Sequence, residues 1–148
     1  MTQQHQQGII LLVEDNPDDV ELTQRAFKRS RLGNRIITKC DGQEALDYLL
    51  GTDNEELANP LPDVILLDLN MPRINGLEVL QRMRSEERTR AVPVVILTTS
   101  DEQRDIIDSY QLGANSYIRK PVNTTEFFEA IQSLEQYWTV RNVPPPAA

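Results

Sequence analysis

Five short apolar runs alternate with longer segments of helical periodicity along this chain of 148 residues. Such runs are typical of strands buried on both faces, and parallel strands need a crossover connection, usually a helix, between them. The pattern therefore predicts an α/β fold in which helices cover both faces of a parallel sheet. The predicted strands are Ile9–Val13, Arg35–Lys39, Val64–Leu67, Val94–Leu97 and Ser116–Ile118.

Capping residues and helix breakers predict where the helices begin and end. Asn16-Pro17-Asp18-Asp19 supplies a cap, a first-turn proline and two acids near the positive end of a helix dipole. Asp101 is expected to cap the fourth helix, and Gly113 is expected to end that helix in the left-handed conformation. We expect the fifth helix to extend from Thr124 to Trp138.

The length of the chain is in the usual range for one folded domain. We expect a disordered leader over residues 1–8, the folded domain over residues 9–138 and a proline-rich tail over residues 139–148. The leader is polar and lacks the apolar segment of a signal peptide, and no apolar run approaches the roughly 18 residues of a membrane span. These features predict a cytoplasmic protein that does not contact a membrane.

The charge of the chain also restricts its function. Its net charge is −8, whereas a nucleic-acid-binding surface is usually basic, so DNA or RNA is not an expected partner. A single cysteine, Cys40, excludes an internal disulfide and is compatible with a reducing compartment.

Polar side chains follow three of the predicted strands. Asp68 comes directly after Val64–Leu67, Glu14 and Asp15 follow the first strand, and Thr98 follows the fourth. In an open α/β sheet, ligands bind in the crevice beyond the carboxyl ends of the strands, so these groups are expected to converge.

The chemistry of these groups indicates a metal-assisted reaction of phosphate. Carboxylates that share a crevice raise each other's pKa or recruit a cation, and oxygen ligands alone favour Mg²⁺ as that cation. With such an ion bound, Asp68 is able to act as a nucleophile toward a phosphoryl group. Lys120 supplies a positive charge for the phosphate, and Thr98 supplies a hydroxyl that donates a hydrogen bond.

A set of motifs appears at these strand ends: Val13-Glu14-Asp15-Asn16, Leu66 to Pro72 with Asn75-Gly76, Leu97-Thr98-Thr99-Ser100, and Tyr117 to Pro121. Together they closely resemble the receiver domains of two-component response regulators. The resemblance extends from about Ile9 to Trp138. It implies a flavodoxin-like, doubly wound fold with five parallel strands in the order 2-1-3-4-5.

The resemblance also implies roles for individual residues. Asp68 would accept a phosphoryl group from a sensor histidine kinase. Asp15 and the backbone carbonyl of Asn70 would ligate Mg²⁺ directly, and Glu14 would do so through water. The protein would be a phosphoacceptor in signalling that assists its own phosphotransfer and dephosphorylation, and not an enzyme.

By the same resemblance, Lys120 would sense the phosphate, Thr98 would be the switch hydroxyl and Tyr117 the switch aromatic. Movement of Thr98 toward a phosphorylated Asp68 would let Tyr117 turn inward. The face formed by the fourth helix, the fifth strand and the fifth helix would change with it, and a downstream protein of unknown identity would bind there.

A narrower resemblance is to the single-domain regulators that are paired with bacterial phytochromes. It rests on the loop from Gly51 to Pro62 and on the segments Thr98–Asp101, Ser109–Tyr117 and Glu135–Trp138. It implies a phytochrome-type histidine kinase as partner. Apolar residues near the end of the domain (Tyr137, Trp138, Val140 and Val143) favour a homodimer, because a lone domain would leave them uncovered.

Three other functions remain open at this point. A phosphatase of the haloacid dehalogenase type also forms an aspartyl phosphate, but it needs a second Asp where this chain has Asn70. A flavodoxin-like electron carrier has the same topology, but the acidic loop at Glu14-Asp15 would repel a flavin phosphate. The third alternative is a receiver-like interaction module that works without phosphorylation.

Overall fold

The computed structural model describes residues 8–30, 32–51, 59–120 and 123–146. Strands and helices alternate along the chain, and a π-helical turn, Tyr137–Arg141, follows the last helix. The elements are β1 Ile9–Val13, α1 Pro17–Arg29, β2 Arg35–Lys39, α2 Gly42–Leu50, β3 Val64–Leu67, α3 Gly76–Ser85, β4 Val94–Thr98, α4 Gln103–Gln111, β5 Ser116–Arg119 and α5 Thr124–Gln136.

The strands form one five-stranded parallel sheet in the order β2-β1-β3-β4-β5. The predicted fold class and strand order are therefore confirmed. The expected disordered leader falls almost wholly on residues 1–7, which lie outside the described residues. Within the part of the chain that the structure describes, every helix is too short or too polar to span a bilayer.

The three central strands, β1, β3 and β4, are apolar except at Thr98, because their successive side chains enter two different cores. In β1, Leu11 and Val13 pack in a core with α2 and α3, whereas Ile10 and Leu12 pack in a second core with α1 and α5. A strand between two helical layers has no face left for polar residues. Each fully buried aliphatic side chain of this kind contributes roughly 1.5–3 kcal/mol to folding.

Four of the helices begin at residues whose side chains cap them, as at Asn16, which accepts bonds from the backbone N–H groups of Asp18 and Asp19. The cap expected at Asp101 is wrong. Helix α4 begins at Gln103, its N-cap is Glu102, and that residue makes no side-chain capping bond. The Asp101 carboxylate instead lies 3.6 Å from the guanidinium of Arg119.

The chain continues as a helix beyond the expected end at Trp138, because the π-helical turn carries it to Arg141. In that turn the Thr139 hydroxyl donates to the carbonyl of Glu135 at 2.6 Å. Asn34, which precedes β2, donates to Glu135 Oε2 at 2.7 Å and to Thr139 Oγ1 at 3.0 Å. The Asn34 side chain also accepts from the backbone N–H of Gly8 at 2.9 Å, so these bonds join the start of β1 to the end of α5.

Arg84 fixes the connections on either side of β4. Its guanidinium donates to the carbonyls of Arg90 and Val92 in the α3–β4 loop and to that of Gly113 after α4. It also donates to the side chain of Asn115, which in turn accepts from the N–H of Val94. Burial lowers the pKa of the Arg84 guanidinium. This side chain therefore joins the α3–β4 loop to the connection between α4 and β5.

Candidate functional site

The backbone brings the polar strand ends to one edge of the sheet. The ladder bonds continue one residue past the strands, because the N–H of Glu14 donates to the carbonyl of Lys39 and that of Asp68 to the carbonyl of Val13. Between β4 and β5, the N–H of Lys120 donates to the carbonyl of Thr98 at 2.7 Å. Residues far apart in sequence are thus aligned beyond the carboxyl ends of the strands, as predicted.

Three carboxylates meet at this edge. One carboxylate oxygen each from Glu14, Asp15 and Asp68 lies within 4.8 Å of the others. Glu14 and Asp68 are buried, with exposed fractions of 3% and 6%, whereas Asp15 is exposed. Buried like charges at this spacing need a cation to balance them, and oxygen donors alone suit a hard divalent ion. The residues present therefore fit a divalent metal site.

The loop after Asp68 is shaped by a close approach of α3. A Cβ atom on Gly76 would lie 2.3 Å from the carbonyl oxygen of Asp68, so only glycine allows this contact. The backbone N–H of Asn70 points to Asp68 Oδ1 at 3.4 Å, and its side-chain amide points to Thr98 Oγ1 at 3.4 Å. Asn70 thus connects the acidic residue to the hydroxyl, which is fully buried.

Lys120 is the cation nearest to these acids in the described part of the chain. Its side chain is only 7% exposed, and its ammonium donates to the carboxylate of Glu14 and to Asp19 Oδ2 at 2.7 Å. Asp68 Oδ2 lies farther from it, at 3.9 Å. The sequence prediction missed Asp19, which it treated only as a first-turn acid. The available signal was its place in the first turn of the helix that directly follows Glu14 and Asp15.

Burial and charge act against each other on the Glu14 and Lys120 pair. Burial raises the pKa of the Glu14 carboxyl from 4.5 to about 7, the hydrogen bond from Lys120 opposes this, and the charge of Asp68 adds to it. Burial lowers the pKa of Lys120, but the bonds to Asp19 and Glu14 outweigh it, so the pKa lies above the ordinary 10.5. Lys120 therefore stays charged at neutral pH, whereas Glu14 is held near its titration point.

Tyr117 lies beside the acidic group and does not enter it. The side chain is half-buried against the core beneath α3, and its hydroxyl donates to the carbonyl of Ser100 at 2.9 Å. Burial raises the pKa of the phenol. The side chain of Ser100 is bonded to Asp105 of α4 at 2.6 Å. Tyr117 is thus connected through the β4–α4 loop to the start of α4.

A surface cavity of about 510 Å³ opens at the acidic group. The residues proposed as metal ligands and the lysine all line it. Thr98 and Tyr117 do not, since Thr98 is fully buried and the hydroxyl of Tyr117 is bonded to the carbonyl of Ser100. The lining residues are Glu14, Asp15, Asn16, Pro17, Asp18, Asp19, Asp68, Asn70, Thr99 and Lys120. The structure therefore brings together five of the seven predicted site residues in one cavity and leaves the two switch residues next to it.

Comparison with protein families gives a match over most of the chain. The model of the response regulator receiver domain family matches residues 10–132. The matched segment contains every residue that the sequence analysis proposed for the site.

Individual relatives match nearly the whole chain. The chain is 41% identical over 140 residues to "Probable methanogenesis regulatory protein FilR2" of Methanothrix harundinacea (95% of this chain, 89% of the relative). It is 39% identical over 140 residues to response regulator Rcp1 of Synechocystis, a match that covers 95% of this chain and 94% of the relative.

Solved structures of relatives superpose over the same length. The phosphorylated cyanobacterial phytochrome response regulator RcpA matches with a TM-score of 0.87 at 39% identity, covering 95% of this chain and 100% of that one. The Mn²⁺-bound form of Rcp1 matches with a TM-score of 0.85 at 37% identity, covering 94% of this chain and 99% of that one. Its bound Mn²⁺ agrees with the reading of the acidic group as a divalent metal site.

Proposed function

This chain belongs to the response regulator receiver family, and from that premise we propose that it is a cytoplasmic protein that accepts a phosphoryl group on Asp68 from a sensor histidine kinase. The observation that carries the proposal is the geometry around Asp68. Its carboxylate lies in an acidic group that fits a divalent ion, at the floor of an open cavity, with the buried Lys120 ammonium 3.9 Å away.

The proposed ion is Mg²⁺. Glu14, Asp15, Asp68 and the backbone carbonyl of Asn70 would hold it, and Asn70 and the three acids all line the same cavity. Bound there, the ion would offset the negative charge of the phosphoryl oxygens during transfer.

The residues of the chain have defined tasks in the transfer. An oxygen of Asp68 forms the new bond to phosphorus while the bond from phosphorus to the histidine nitrogen of the kinase breaks, and that histidine keeps the electron pair. Lys120 contributes a fixed positive charge beside the incoming group. The open cavity admits the kinase histidine, and the buried floor keeps bulk water away from one side of the acyl phosphate.

Phosphorylation would then change the surrounding loops. A phosphoryl group adds about −1.5 to −2 of charge, by analogy with other phosphorylated side chains, and attracts the Thr98 hydroxyl and the Lys120 ammonium. Thr98 would exchange its contact with Asn70 for one with the phosphoryl group. The bond from Tyr117 to the Ser100 carbonyl provides a connection from this change to the face formed by α4, β5 and α5.

We propose a phytochrome-type histidine kinase as the partner, because RcpA is a phytochrome response regulator by its description. We propose that the downstream protein, whose identity is open, binds the α4–β5–α5 face. Helix α4 contributes the exposed apolar side chains Ile107 and Tyr110 to this face, the turn after α5 exposes Tyr137 and Val140, and we propose that a homodimer covers part of these groups. Trp138 is half-buried and packs with one side against the core beneath α5.

The test of the proposed function is phosphorylation by acetyl phosphate with Mg²⁺, followed by mass spectrometry. We expect one adduct on the wild type and none on Asp68→Ala. A wild type without an adduct would favour the phosphorylation-independent interaction module, and an adduct that persists in Asp68→Ala would refute the assigned acceptor. Phosphotransfer from purified histidine kinases of the source organism, phytochrome-type against others, tests the partner.

A further inference from the structure

The ammonium group of Lys120 is oriented by two acids and not by one. It donates to the carboxylate of Glu14 and to Asp19 Oδ2 at 2.7 Å, while Asp68 Oδ2 at 3.9 Å is beyond hydrogen-bond range. An ammonium has three N–H donors, so two directions are occupied. Among the described residues, the third N–H has no acceptor within hydrogen-bond distance, and Asp68 is the nearby acid toward which it is free to turn.

Asp19 is itself held firmly in place. Its backbone N–H donates to the Asn16 side chain at 3.3 Å, and its carbonyl accepts from the buried hydroxyl of Thr23 at 2.7 Å. Bonds through both the N–H and the carbonyl of Asp19 therefore fix the first turn of α1. A carboxylate on such a turn is an anchor for a long, flexible lysine side chain, which otherwise has many rotamers.

We propose that Asp19 is a positioning residue for phosphoryl transfer: with Glu14 it holds the Lys120 ammonium so that its third N–H is free to bind a phosphoryl oxygen on Asp68. This inference rests on the proposed function. A phosphoryl group brings three acceptor oxygens to the Asp68 carboxylate. The gap between Lys120 and Asp68 then closes with the bonds to Asp19 and Glu14 retained.

A pair of substitutions separates this role from the effect of charge. Asp19→Asn and Asp19→Ala both remove one negative charge from the cavity, so both alter the approach of an anionic phosphodonor equally. Only the Asn side chain keeps an oxygen that accepts from Lys120. The ratio of their phosphorylation rates therefore reports on the hydrogen bond alone. Glu21→Ala is the matched control, because it removes an acid from the same helix whose partner is the exposed Arg25.

The rate of adduct formation is measured with acetyl phosphate and Mg²⁺ by mass spectrometry, and circular dichroism checks that each variant is folded. We expect Asp19→Asn to react about tenfold faster than Asp19→Ala, the usual effect of losing one hydrogen bond to a charged group, and Glu21→Ala to match the wild type. Equal rates for the two Asp19 variants would overturn the proposal. A faster reaction of Asp19→Ala than of Asp19→Asn would also overturn it, since Asp19 would then restrain Lys120.

A second measurement does not depend on phosphorylation. The ¹⁵N-labelled ammonium group of a buried, hydrogen-bonded lysine exchanges its protons slowly, so its NMR signal is observable. We expect the Lys120 signal in the wild type, Asp19→Asn and Glu21→Ala, and its loss in Asp19→Ala. If the wild type forms no adduct, the proposed function fails, whereas a Lys120 signal that is unchanged in Asp19→Ala refutes the anchoring by Asp19 itself.

Discussion

The raised pKa of Glu14 makes the metal-free protein less stable at high pH. The folded state holds the Glu14 proton up to a pKa of about 7, whereas the unfolded chain releases it near 4.5. The stability from this group is therefore complete below pH 4.5 and is lost as the pH rises through 7. At about 1.4 kcal/mol per pH unit, the total loss is roughly 3 kcal/mol.

Glu14→Gln is the perturbation that isolates this effect, because Gln keeps an oxygen for Lys120 but does not titrate. Between about pH 5.5 and about pH 8, the wild type without metal should lose about 2 kcal/mol of unfolding free energy through Glu14, and the variant should not. The chain has a single histidine, so few other groups titrate in this range.

The assay is urea unfolding in EDTA, followed by circular dichroism at the two pH values. Wild type and Glu14→Gln should differ most at the higher pH, with the variant more stable. Added Mg²⁺ should stabilise the wild type there and have little effect on the variant. Equal pH dependence in the two proteins would refute the reasoning, since it would mean that the folded state does not retain the Glu14 proton.

Three further substitutions test the frame around the site. Arg84→Met should lower the free energy of unfolding by about 3 kcal/mol in urea titrations, because several loop carbonyls lose a charged donor. A loss below about 1 kcal/mol would contradict the role of Arg84 in joining these loops. Gly76→Ala should displace the backbone at Asp68 and lower the affinity for Mg²⁺, measured by calorimetry, at least about tenfold. An unchanged affinity would show that α3 moves away from Asp68 without cost. Tyr117→Phe should cost about 1 kcal/mol in urea titrations and leave Mg²⁺ affinity unchanged, and a large change in affinity would place the phenol in the metal site.

The sequence predicted those features that depend on local pattern. Buried parallel strands are continuous apolar runs, so their positions and the polar residues that end them, such as Asp68 and Glu14, are readable along the chain. Their meeting at one edge follows from the parallel topology.

Features that depend on distances between elements were not predicted. Nothing near Arg84 in the sequence indicates its bonds to Gly113 and Asn115, which lie about thirty residues further along the chain. Asp19 was predicted only as a favourable first-turn acid, because its partner Lys120 is also distant in sequence. Asp101 was expected as a helix cap on local propensity, but Arg119 of β5 offers its carboxylate a partner. For Arg84 and Asp19 a tertiary contact decides the role of the side chain, whereas Asp101 and Arg119 are both exposed and their ion pair contributes little.

The bonds of Asn34 to Gly8 and to the turn after α5 hold both chain ends of the domain at the edge of the sheet that is opposite the cavity. The five residues of β1 separate that edge from Glu14, a distance of roughly 17 Å at the usual rise per residue. A fluorophore, affinity handle or fused reporter attached before Gly8 or after Asn142 would therefore leave the approach of a kinase unobstructed, and immobilised protein should remain competent for phosphotransfer.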